Sequence, residues 1–147
     1  MCYFRRMNRP DLTFERINQA LISTIPEVSD LVHTTFGSDY SFEKGNPDEN
    51  PEAYPVFEDV VKKLMFDLLE TGKDEKLLTR LFSFFEEMAN STDPNVARDL
   101  LGIAILEPLV HKNAVIGAAW KFMGPKMRKL AAAEATSTGR QENPPTT

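Results

Sequence analysis

Between Asp74 and Asn90 the chain sets Leu77, Leu78, Leu81, Phe82, Phe84, Phe85 and Met88 on one side of a helical wheel. Thr79, Arg80, Ser83, Glu86 and Glu87 occupy the other side. Large apolar groups recurring every three and four residues have one economical solution in water, a helix whose stripe other helices cover. Nowhere does the sequence alternate apolar and polar residues with period two between turn signals, so no sheet is expected. The fold class that follows is all-α, a single-domain bundle of six or seven helices. Its 147 residues are enough to bury about 68–70% of the unfolded surface, so no metal or disulfide staple is needed.

The same period recurs elsewhere. Phe14, Ile17, Leu21, Ile22 and Ile25 share a face from about Thr13 to Ile25. Pro26, whose missing N–H is harmless in a first turn, opens a second helix carrying Val28, Leu31, Val32 and Phe36, and Gly37 supplies a left-handed end. A third helix from Tyr54 to Gly72 buries Val56, Phe57, Val60, Val61, Leu64 and Leu68. Phe66 falls among its polar positions, either to meet another helix or to stand exposed.

Asp93 and Pro94, a cap followed by a first-turn proline, start a fifth helix that is apolar nearly all round from Val96 to Leu106. Such a helix belongs in the middle of a packed structure, and Pro108 is expected to end or kink it. A sixth helix from about Ala114 to Met123 brings Trp120 and Phe122, and Pro125 begins a last one reaching about Ala135. The predicted core centres on Phe82, Phe85, Leu100, Ile103 and Trp120. Residues 1–135 form the domain, and 136–147, rich in Ser, Thr, Pro and Gly, read as a disordered tail.

Charge is distributed unevenly along the chain. The net of −5 divides into +3 over residues 1–10, −7 over 11–53, −5 over 54–110 and +4 over 111–147. An acidic balance argues against a general nucleic-acid or anionic-membrane binder. Residues 38–53 lose all helical period and hold Asp39, Glu43, Asp48, Glu49 and Glu52 against Lys44. A charged loop of this length in a compact domain is usually functional or disordered; Tyr40 and Phe42 are placed to pin it to the body. No stretch approaches the roughly 18 apolar residues of a membrane span. No signal-length apolar run follows the basic N-terminus, so a cytoplasmic location is expected.

Catalytic constellations are missing from the sequence. Cys2 is the one cysteine, and His33 and His111 stand in no metal-ligand spacing. No phosphate-cradling glycine loop and no nucleophile elbow occur. The Asp39-x-Ser41-x-Glu43 run has Lys44 and Asn50 where a calcium loop requires glycine and a bidentate glutamate. No metal, no cofactor and no enzymatic activity are expected. Glu107 shares a helical-wheel angle with Val96, Leu100 and Ile103, which makes it a candidate buried structural acid paired with Arg80, Arg98 or Lys112 or with backbone amides.

Leu81-Phe82-Ser83-Phe84-Phe85-Glu86-Glu87, Asp93-Pro94-Asn95-Val96, Ile105-Leu106-Glu107-Pro108-Leu109 and Met123-Gly124-Pro125-Lys126 resemble a bacterial family of small all-helical proteins. Some of its members look like immunity proteins of polymorphic toxin systems. The Asp93-Pro94 start also resembles the inner helix of a HEAT-type repeat, though no second copy at that period is visible. The resemblance implies a non-catalytic, protein-binding role, most simply an inhibitor whose acidic loop (Asp39, Glu43, Asp48, Glu49, Glu52) covers a basic toxin. The exposed side of the third helix around Phe66 is the alternative contact, and a HEAT-like adaptor without a toxin partner is the alternative role.

Overall fold

The computed structural model describes residues 12–37 and 53–137. Among them run seven helices and no strand, as the periodicity predicts. They are α1 (Ile17–Thr24), α2 (Glu27–Phe36), α3 (residues 53–71), α4 (Glu75–Ala89), α5 (Asn95–Val110), α6 (Asn113–Trp120) and α7 (Pro125–Ser137).

Helix α4 is built as its sequence reads. Asp74 caps it, accepting the Leu77 N–H at 3.0 Å. Its stripe of Leu78, Leu81, Phe82, Phe84, Phe85 and Met88 is buried. Phe82 and Phe85 meet edge to face with centroids 5.3 Å apart, and Phe82 also lies 6.0 Å from Phe122. Helices α3, α5 and α7 all pack on α4, and α3 and α7 also pack on α5, so the fourth and fifth helices form the centre. Gly72, at φ +66°, turns α3 into α4 in a backbone conformation that a side chain would strain.

Helix α5 departs from the reading made at 100° per residue. From Asn95 to Leu106 it is wound as a wide π-helix, and the Glu107 N–H reaches back five residues to the Gly102 carbonyl. In this winding, neighbours four and five apart share a face. Val96, Leu100, Leu101, Ile105, Leu109 and Val110 are therefore buried together. Ile103 and Glu107 rotate outward: Ile103 is 50% exposed rather than core, and Glu107 is an exposed acid rather than a buried one. Helical structure also continues through Pro108, the second residue of the resumed α-winding. A shorter wide turn, Phe57–Val61, interrupts α3 and packs on α5.

Other departures are smaller. Trp120, the last residue of α6, is half-buried; the Arg128 guanidinium lies 5.5 Å from its ring and donates to its carbonyl at 3.1 Å. Thr136, expected in the tail, lies inside α7, its hydroxyl donating to the Ala132 carbonyl at 3.1 Å. Helix α1 is preceded by a turn over residues 13–16 instead of starting at Thr13. No single helix among the described residues is long and apolar enough to cross a membrane; α5 and α6 together reach that composition but are bent by 115°.

Two polar clasps tie distant parts of the chain. Ser91 donates its hydroxyl to the Leu12 carbonyl at 2.7 Å, and Asp93 receives the Phe14 N–H at 2.9 Å while its other oxygen takes the Asn95 N–H at 3.0 Å. The second clasp joins α4 to α7. Glu86 accepts the N–H groups of Lys126 at 3.0 Å and Met127 at 2.9 Å, filling the unpaired first turn of α7 with a carboxylate. A Cβ on Gly124 would overlap the Glu86 side chain and force it off the α7 amides. Gly124→Ala should destabilise the protein strongly in the wild-type background and much less in Glu86→Ala. A double-mutant cycle by urea unfolding measures that coupling, and additive effects would show the contact to be unimportant.

Candidate functional site

The five loop acids singled out by sequence, Asp39, Glu43, Asp48, Glu49 and Glu52, lie outside the described residues, as do Tyr40 and Phe42. The chain re-enters the structure at Ala53 and Tyr54, at the start of α3. The Tyr54 ring packs against Phe14 with centroids 5.8 Å apart. Burial raises its phenol above the ordinary range, and the charges of Asp99 and Glu58 raise it further.

Phe66 is half-buried against the core rather than freely exposed. The Lys112 ammonium lies 4.7 Å from its ring centre and pairs with Glu70 at 2.8 Å. This arrangement joins α3 to the turn before α6. An open apolar cleft nearby, lined by Leu68, Leu69, Leu78 and Phe122, carries Glu75 and Lys121 at its edge, 3.9 Å apart, and no nucleophile or histidine.

The outward side of α5 carries the more distinctive chemistry. Asp99, Ile103 and Glu107 follow one another at four-residue intervals along it. Asp99 receives Arg98 Nε at 3.0 Å. Glu134 of α7 lies over Gly102, where a Cβ would come within 4.0 Å of its Oε1. Burial holds the Glu134 carboxyl above the usual carboxylate range, Glu107 pushes it higher, and His111 opposes both. Among the described residues no group of three or more His, Cys, Asp or Glu comes together to hold a metal ion. The outward side of α5 thus carries carboxylates near an exposed apolar side chain.

Sequence reasoning missed Ile103 as a surface residue and did not single out Asp99 or Glu134. The signal was present in the spacing of Leu100, Leu101, Ile105, Leu106, Leu109 and Val110, which fits four-and-five periodicity better than three-and-four.

The model of a domain of unknown function, DUF7674, matches residues 18–137. The chain belongs to that family. No curated protein and no solved structure matches it. The DUF7674 region runs from α1 to the end of α7, and so contains the α5 stripe and the Glu86–Gly124 clasp. Two of the motif runs noted in the sequence, those around Glu86 and Gly124, are the two halves of that clasp.

Two measurements check this description. Ile103→Ala should change the unfolding free energy by less than about 1 kcal/mol, whereas Ile105→Ala should cost about 2–5 kcal/mol; an α-wound helix, which turns Ile103 inward with Leu100, would make Ile103→Ala a costly change. For Glu134 the raised carboxyl means that the fold favours its neutral form. Its contribution therefore worsens as pH rises from the unfolded carboxylate range through the higher folded value. Glu134→Gln should raise the melting temperature relative to wild type at pH 7 and lose that advantage at pH 4.

Proposed function

We propose that this DUF7674 protein is a non-catalytic protein-binding module of immunity type, acting in the cytoplasm to neutralise a basic toxin through an acidic surface. The observation that supports the reading is the setting of Tyr54. The loop bearing Asp39, Glu43, Asp48, Glu49 and Glu52 leads into Tyr54, whose phenol feels the charges of Glu58 and of Asp99, the latter paired with Arg98. Nucleases that bind phosphate are basic, and an acidic inhibitor both steers their approach and imitates the charge of their substrate.

A second reading, a HEAT-like adaptor, draws support from the consecutive packing of α3 on α4 and of α4 on α5, with Asp93 and Pro94 opening α5. Rescue of growth separates the two: an immunity partner is toxic when expressed alone, and an adaptor's partner is not.

The experiment is a pull-down from the native host followed by a kinetic titration of the purified pair. Charges separated by more than about 8 Å are screened at physiological salt. The association rate should therefore fall several-fold between low and high salt, and reversing Asp48 and Glu49 to lysine should lower the on-rate more than it raises the off-rate. An on-rate indifferent to salt and to both reversals would refute the acidic-surface reading.

A further inference from the structure

The open cleft where α3, α4 and α6 meet has a volume of about 100 Å³. Leu68 and Leu69 of α3, Leu78 of α4, Ala118 of α6 and Phe122 just beyond it make the walls. Sites for drug-sized ligands run to about 300 Å³ or more, whereas a cavity of about 150 Å³ with aliphatic and aromatic walls holds a benzene-sized group. A cleft of this size therefore takes one compact aliphatic group.

Its mouth is charged. Glu75, the first residue of α4, and Lys121, next after α6, meet there with Oε2 and Nζ 3.9 Å apart. The same ammonium lies 5.2 Å from the centre of the Phe122 ring, so it stands over one wall of the cleft. The two side chains are 72% and 68% exposed, and a pair so exposed contributes little and opens easily.

A ligand that satisfies both charges and the walls together carries an ammonium and a carboxylate side by side on an aliphatic body. In a free α-amino acid the ammonium nitrogen and the carboxylate carbon are about 2.5 Å apart. Both groups can thus face the pair at once while the side chain on the same carbon enters the cleft. A simple carboxylate would be drawn to Lys121 and repelled by Glu75, and a simple amine the reverse.

We propose that this cleft binds a free α-amino acid with a compact aliphatic side chain, of the leucine kind. Glu75 receives its ammonium, Lys121 donates to its carboxylate, and Leu68, Leu69, Leu78 and Phe122 enclose its side chain. The ligand bridges three helices, so its binding stabilises the fold. The site stands apart from the protein-binding reading above.

The test is an amide NMR titration of the isotopically labelled full chain with L-leucine at millimolar concentrations. The proposal expects saturable shifts centred on Gly72, Glu75, Ala118 and Lys121, and a melting temperature that rises with ligand. Isocaproate, which lacks the ammonium, and isopentylamine, which lacks the carboxylate, should each bind about tenfold more weakly, as loss of a charge-assisted hydrogen bond entails. Glu75→Gln and Lys121→Gln should weaken L-leucine by a similar factor. Ala118→Leu should fill the cleft and abolish binding. All three positions are exposed, so melting curves without ligand should match wild type; the glutamine variants serve if Ala118→Leu does not fold. Absence of saturable shifts with L-leucine would overturn the proposal, as would equal binding of isocaproate or isopentylamine, or shifts centred away from the cleft. None of these outcomes bears on the acidic-surface reading, which the kinetic titration of the purified pair tests.

Discussion

The packing of the α4 stripe against α5 is the contact on which the rest of the fold depends. Helix α4 has a broad apolar side that must be covered, and α5 is apolar around most of its circumference, so it can cover α4 while offering further surface to α3 and α7. Each element outside this pair buries one face and leaves the other to water. That order of dependence explains why the polar clasps sit where they do. Glu86 leaves the edge of α4 to hold the start of α7, and Asp93 leaves the start of α5 to hold the backbone of Phe14. Each fixes a peripheral segment by satisfying backbone amides that would otherwise lack partners.

Most of the fold was legible in the sequence because it obeys a single period. The stripe of α4, the cap at Asp93, the break at Gly72 and the start of α7 at Pro125 are local features with local causes. What a reading at 100° per residue misses is the winding of α5. Its residues are apolar in nearly every direction, so a wheel drawn at 100° per residue finds an acceptable face in any register and gives no warning when the register is wrong. Ile103 and Glu107 were misplaced by that one error and by the same rotation. Trp120 was misplaced for a different reason: size and apolarity favour burial, but the last residue of a short helix has neighbours on one side only.

The candidate surface was less legible than the fold. Clusters of acids in a sequence say where negative charge is plentiful, but not which of it lies beside an apolar anchor. Glu107 and Glu134 come from two helices and share no motif; Glu134 reaches Gly102 through the packing of α7 on α5. The runs that do look like motifs have proved to carry architecture, as Glu86 and Gly124 show. In a small helical protein the memorable residues can be those that hold the ends of helices.

The wide winding of α5 has a consequence for the length of the chain. A ring closed five residues back holds one residue more than a ring closed four back. Loss of a single residue from the outward side of such a turn can be absorbed by tightening it to the ordinary pitch, with the buried residues before and after kept in their places. The fifth helix is thus a stretch of core where the gene can shorten by one codon without shifting the downstream packing, an allowance that uniformly α-wound α4 does not have. Relatives with a one-residue gap between Ala97 and Gly102 would be expected to keep the bundle, with the residue at the place of Ile103 still facing outward.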